Sequence, residues 1–340
     1  MKIKEIALKA GVSMATVSRV LNNSGYVKEE TREIVLKTVK ESTDSSDFIP
    51  KKSSKHKMEI IGVLIPDITN PFFAEVIKGI NKVAGSRNLN FILCNTNENV
   101  EEEIKYLKMI KEQDIKGLII TPTTDQNEFN RKFLKQIDNM GVPIVLLDRD
   151  IKYSHFDAVF LDNVKGAYEA VEALIREGHE KIAIIAGPIT SKPGRDRVSG
   201  YEKALVFNNI KKDDNYIYYG DFKVDSGYAL TKEILNMQDP PSAIFVSNNM
   251  MAMGCIKALF EMNVRIPQDM AIIAFDDIDV FSIITPNISS ISRPTSQMGE
   301  VAMSILMERL DDKSRGNKII KQIILPPSLI LRGSEKYMKK

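Results

Sequence analysis

The chain has 340 residues, 47 Lys/Arg against 45 Asp/Glu, 43% hydrophobic residues, two cysteines and no tryptophan. That size suits one small and one large unit, or three compact lobes, with ample apolar material for real cores. No apolar run is long enough to span a membrane, and the polar N-terminus lacks a signal-peptide core, so membrane insertion and secretion are not expected. Cys94 and Cys255 lie in apolar runs and read as buried thiols of a reducing, cytoplasmic compartment. His56, His155 and His179 lack metal-ligand spacing, so neither metal nor cofactor is expected. Charge is unevenly placed: residues 1–57 carry 12 Lys/Arg against 7 Asp/Glu, the remainder 35 against 38. A basic head on a slightly acidic body suits phosphate contact at one end.

In chain order, Ile3, Ile6, Ala7 and Ala10 recur at helical spacing, and Gly11 breaks that helix. Ser13 caps a second helix with Val17, Val20 and Leu21 inside and Ser18 and Arg19 outside. A third helix over about 28–41 is expected to turn Ile34, Val35, Thr38 and Val39 toward the first two. This is a helix-turn-helix, whose second helix fits a DNA major groove. Residues 42–57, STDSSDFIPKKSSKHK, lose all periodicity and read as a linker.

From Met58 the pattern alternates between strand-like runs and amphipathic helices. MEIIGVLIP, NFILCN, KGLIIT, VPIVLLD and AVFLD are separated by helices from Pro71, Glu101 and Glu128. KIAIIAG, YIYYGDF, SAIFV and MAIIAFD follow, with helices from Val164, about Arg195, Asp225 and Asn249. Such alternation implies parallel sheets with helices on both faces, here in two similar lobes. SSISRP, a helix from Gln297 and IILPPSLILR are expected to cross back between lobes. Ligands in such sheets bind beyond the carboxyl ends of strands, so two facing lobes make a cleft. The expected domains are 1–45, a linker at 46–57 and a body over 58–340, with lobes at 58–161 and 162–290 and crossovers at 291–335.

The head string, Ala7, Ala10-Gly11-Val12-Ser13 and Thr16-Val17-Ser18-Arg19-Val20-Leu21-Asn22, resembles the lactose/galactose-repressor (LacI/GalR) family. The body shows further landmarks of it, among them IGVLIPDITNPFF, LLDRD, REGHEKIAIIAGP, FVSNNMMAMG and ISRPTSQMGEVA. The resemblance implies an all-α helix-turn-helix head and an α/β, periplasmic-binding-protein-like body of two lobes. On an operator, Met14 and Ala15 would meet base edges and Arg19 a guanine, while Ser13, Thr16, Ser18 and Asn22 would hold phosphates.

For the cleft, the resemblance implies saccharide contacts from Asn70, Asp148, Arg149, Arg197, Asn248 and Asp276, with Phe72, Phe73 and Phe222 against the ring faces. Carboxylates accept from adjacent sugar hydroxyls and Arg donates in a fixed fork. Taken singly, each would equally serve as a strand-end cap or salt bridge, and Phe73 as core. Arg293 stands where the family often has Gln, Asn249 where Asp is common, Ala274 where Gly is common, and Thr121 where ribose-type binders carry Asn. The pattern leans toward a ribose-like pentose. Arg293 leaves two options open: an anionic sugar, or a pair with Asp276 inside the cleft.

The linker departs from the family, whose hinge helix places a Leu in the minor groove. Ser53 or Lys57 falls at that position here, depending on register, and Pro50 opposes a helix. An enzyme is not expected: the first β-α turn of the body is PDITNPFF, without G-x-G-x-x-G, and no G-x-S-x-G elbow or P-loop occurs. The function implied is a sequence-specific regulator, in the sense of a repressor of carbohydrate-utilisation genes, controlled by a small sugar or sugar phosphate. SMATVSRV also resembles catabolite-control regulators, which answer to a phosphorylated carrier protein. A homodimer is expected, because one helix-turn-helix reads one half-site, with its contact near Phe73, Val76 and Ile80 of the first body helix.

Overall fold

The computed structural model describes residues 3–21, 24–41, 59–87, 89–113, 115–312 and 319–337. Asn22 and the whole linker, with the hinge-helix question and its lysines, lie outside the described residues. The chain divides into two compact units, within 1–58 and 59–340.

The head holds α1 (Ile3–Ala10), α2 (Met14–Leu21) and α3 (Glu29–Glu41). Ser13 Oγ accepts from the Thr16 amide at 3.1 Å, so the capping residue starts α2 as its chemistry dictates. Ile6, Ala7, Val17, Val20, Val35 and Val39 form one small core. Ile34 does not join it. It is 52% exposed, because Val35 and Val39, four apart, already define the inner face of α3. Thr38 is half-buried, its hydroxyl donating to the Ile34 carbonyl at 2.8 Å.

The first lobe contains β1 (Ile60–Ile65), α4 (Pro71–Gly85), β2 (Asn90–Asn95), α5 (Val100–Glu112), β3 (Gly117–Ile120), α6 (Glu128–Asn139), β4 (Ile144–Leu147) and β5 (Asp157–Leu161). The second contains α7 (Asn163–Arg176), β6 (Ile182–Ala186), α8 (Lys192–Phe207), β7 (Ile217–Tyr219), α9 (Val224–Leu235), β8 (Ala243–Val246), α10 (Asn249–Glu261), β9 (Ala271–Phe275), α11 (Asp279–Ile283) and β10 (Ser289–Ser292). The chain then returns through α12 (Thr295–Asp311), β11 (Gln322–Leu325) and β12 (Ser328–Ile330).

The sheets run β11-β5-β4-β3-β1-β2 and β12-β10-β9-β8-β6-β7. All pairings are parallel except β12 against β10. Strands buried on both faces need no polar alternation, which explains apolar runs such as IVLL and AIIAF. Val145 and Leu147 face α4 and α12, while Ile144 and Leu146 face α5 and α6. The second sheet is covered by α7 and α8 on one side and α9 and α10 on the other. There, burial pushes the Cys255 thiol up to about 12. The late segments do cross back: α12 and β11 complete the first lobe, β12 the second. Two helices start more than one residue earlier than the pattern suggests, α8 at Lys192 and α12 at Thr295. For α8 the cause is Ser191, whose Oγ accepts from Gly194 N at 3.2 Å.

Phe73, Val76 and Ile80 are buried at 3%, 0% and 0% beneath α12, so a dimer contact along α4 would fall to their exposed neighbours. The two helices touch backbone to backbone. A Cβ at Gly79 would lie 2.0 Å from the Ser296 carbonyl oxygen, and one at Gly299 2.1 Å from that of Val76. Gly79→Ala is therefore expected to destabilise the protein by about 1–3 kcal/mol through overpacking, read from denaturant unfolding of the full chain.

Candidate functional site

On the head, Ser13, Met14, Ala15 and Arg19 are exposed, while Thr16 and Ser18 are half-buried. The polar face of α2 is thus available where the sequence puts it. Gly25, at φ +74°, lets the turn fold under the Arg19 stem, and a Cβ there would sit 3.6 Å from Arg19 Cδ.

In the body, all ten residues expected at the cleft border one cavity between the lobes: Asn70, Phe72, Phe73, Asp148, Arg149, Arg197, Phe222, Asn248, Asp276 and Arg293. Asp148 follows β4 and Asp276 follows β9, where the strands stop and their side chains emerge from the sheet. Asn70 caps α4, accepting from Phe72 N at 3.0 Å. It also accepts from Asn249 Nδ2 at 3.0 Å, joining the lobes directly. Asn248 caps α10 through Met251 N at 2.9 Å and donates to the Phe222 carbonyl at 3.0 Å.

Arg293 sits at the centre. Its Nη1 donates to Asp148 Oδ1 at 2.9 Å. Its Nε lies 2.6 Å from Asp276 Oδ1, a close charge contact out of hydrogen-bond alignment. The guanidinium lies 3.5 Å from the Phe72 ring centroid. The pair with Asp276 that the sequence suggested is present and extends to Asp148, so the guanidinium reaches carboxylates of both lobes. Arg197 donates from Nε to Asn163 Oδ1 at 2.9 Å and from Nη1 to the Ser247 carbonyl. It stacks 3.8 Å over Phe275, and its Nη2 is 3.8 Å from Asp276. Burial pulls its pKa down to about 10, with Asp276 opposing, so it stays charged at neutral pH. Arg149 is forked on Glu98 at 2.6 and 2.7 Å. Burial alone would lower its pKa, but the carboxylates of Glu98, Asp148 and Glu103 together leave the value raised.

Four residues bordering the cavity, Glu98, Asp148, Phe222 and Asp276, hold positive φ without being glycine, at 57°, 62°, 67° and 71°. Such strain persists where surrounding structure over-determines it, as at ligand sites. Sequence reasoning missed Asp67, Glu98, Pro193 and Lys223, which also border the cavity. Glu98 had one readable signal: it follows β2 at its carboxyl end. Thr121 is fully buried, its hydroxyl without a hydrogen bond, and is not among the bordering residues. Phe73 belongs both to the first-lobe core and to the cavity border.

Residues 2–43 match the family described as bacterial regulatory proteins, lacI family. Residues 58–329 match periplasmic binding proteins and sugar binding domain of LacI family. The chain belongs to the LacI family. It is 35% identical over 315 residues to the HTH-type transcriptional regulator RegA of Clostridium saccharobutylicum, covering 92% of this chain and 93% of that one. It is 32% identical to the HTH-type transcriptional repressor PurR of Photobacterium profundum, covering 98% of each. A ribose-bound LacI-family regulator of Enterococcus faecium superposes with a TM-score of 0.73 at 29% identity, covering 83% of this chain and 100% of that one. As a LacI-family member the chain is a DNA-binding transcriptional regulator, not an enzyme. No described helix is long and apolar enough to cross a membrane.

Removing Asp276 leaves the buried Arg293 and Arg197 charges short of their shared carboxylate. Asp276→Ala is expected to cost about 3–5 kcal/mol, read from urea unfolding of the full chain.

Proposed function

We propose that this LacI-family protein represses carbohydrate-utilisation genes and answers to a small sugar, ribose or a close relative, held between the lobes. The observation that carries this reading is the single cavity bordered by all ten expected residues, drawn from both lobes and the crossover. The set offers two carboxylates, two asparagines, three guanidiniums and aromatic faces, the chemistry that recognises adjacent hydroxyls on an apolar ring. The ribose in the Enterococcus faecium relative supports the choice of pentose. A phosphorylated sugar is the weaker fit, because the Arg293 charge is already shared by Asp148 and Asp276.

Met14, Ala15 and Arg19 would read base edges of a double-stranded operator in the cytoplasm. Ser13, Thr16, Ser18 and Asn22 would fix register on phosphates. A twofold operator calls for a homodimer. With Phe73, Val76 and Ile80 buried, we place its contact on the groove where Pro71, Ala74 and Glu75 of α4 meet Met250, Met253 and Val280. A ligand touching both lobes favours the closed body, and its differential affinity sets how far operator affinity shifts.

Calorimetry of the full chain with ribose tests the sensor. At 100 times its dissociation constant a true ligand stabilises the protein by about 2.7 kcal/mol. Asp148→Ala is expected to abolish that response while the fold persists, since Arg293 keeps Asp276. Binding of neither sugars nor sugar phosphates, with operator affinity raised by a phosphorylated carrier protein, would replace this reading by catabolite control. Arg19→Ala is expected to cost about 1–3 kcal/mol on the operator and far less on random DNA, read by fluorescence anisotropy. Light scattering is expected to find a dimer, and a stable monomer at micromolar concentration would exclude one.

A further inference from the structure

We propose that Glu98 sets the charge of the ligand the cleft accepts, making it selective for uncharged sugars by neutralising Arg149 through an end-on pair with both terminal nitrogens. The inference rests on the reading of the cleft as a sugar site and concerns a residue which that reading does not use. Arg149, as an unpaired fork, would be the natural seat of a phosphate or carboxylate. Here its end-on fork is already held by a carboxylate. Arg149 Nη1 donates to Glu98 Oε2 at 2.7 Å and Nη2 to Glu98 Oε1 at 2.6 Å. The two side chains are only 6% and 18% exposed, so water screens the pair little. Nη1 turns its remaining capacity toward the Pro122 and Thr123 carbonyls, at 3.4 and 3.3 Å. Nε has no hydrogen-bond partner, and Nη2 makes no hydrogen bond besides the one to Glu98. What Glu98 withholds from an oxyanion is therefore the uncompensated charge and the end-on fork, while single donors stay open to hydroxyls.

Glu98 is held in place for this role. It and Asn97 are consecutive non-glycine residues at positive φ, 57° and 52°. The turn is fixed by Glu98 N donating to the Pro66 carbonyl and Asn99 N to Thr96, both at 2.9 Å. Glu98 thereby shares the left-handed backbone of Asp148, Phe222 and Asp276 around the same cavity. The other two buried guanidiniums are also answered by carboxylate: Arg293 by Asp148 and Asp276, Arg197 by Asp276. An incoming anion therefore meets no buried cation that lacks a counter-charge; the remaining cation on the border, Lys223, is exposed to solvent.

The test uses inorganic phosphate, so that it does not depend on the sugar's identity. Full-length wild type, Glu98→Gln, Glu98→Asp and the double variant Glu98→Gln/Arg149→Met are titrated calorimetrically at low ionic strength. Folding is checked by circular dichroism, and Glu98→Ala is a second charge-removing variant. Glu98→Gln and Glu98→Ala are expected to bind phosphate at least tenfold more tightly than wild type. Glu98→Asp, which keeps the charge, and the double variant are expected to show no gain. An unchanged phosphate affinity in the charge-removing variants, or a gain that survives Arg149→Met, overturns the proposal. Ribose is titrated in parallel on wild type. Absence of ribose binding there counts against the sugar reading and leaves the phosphate result on Glu98 standing.

Discussion

The body depends on one buried charge. Arg293 carries its guanidinium, 3% exposed, between Asp148 of the first lobe and Asp276 of the second. A charge in that setting costs several kcal/mol unless it is paired. Its partners come from opposite sheets, so the pairing is complete only while the lobes stand close. Cleft geometry and charge balance are therefore the same constraint. Phe72 beneath the guanidinium and the Asn70–Asn249 hydrogen bond tie the same two surfaces together.

That constraint shapes what a ligand can do. A polyol entering the cleft meets the carboxylates that already hold Arg293, and must share their oxygens with it. Its binding energy is a difference between two paired states, not the sum of its own contacts. The close α4–α12 contact through Gly79 and Gly299 joins the crossover helix, which begins two residues after Arg293, to the helix capped by Asn70. A change in the triad is thus felt on an element that spans the first lobe.

Much of this architecture is legible in the sequence because buried parallel strands write themselves as apolar runs. Asp148, Arg149 and Asp276 stood out since each ends such a run, where polar side chains have no packing reason to be. The limits were of two kinds. Burial by a distant segment is invisible locally: α4 looks like a free amphipathic helix until α12, more than 200 residues later, covers Phe73, Val76 and Ile80. Pairing is equally invisible. Nothing in NTNENV says that Glu98 will reach Arg149, 51 positions away, because a left-handed turn and not a periodic element aims it. Ile34 fails for a smaller reason: one residue of rotation on a short helix decides which of two neighbours is inside.

The central claim is that sugar in the cleft and operator on the head are linked equilibria. The direct measurement is reciprocal: the operator dissociation constant with and without saturating ribose, and the ribose dissociation constant with and without saturating operator, at one salt concentration. Linkage requires the two ratios to agree, and the account predicts a common factor clearly different from one, in the range of about 5–150 typical of such coupling. Ribose that binds with the same affinity to free and operator-bound protein would contradict it.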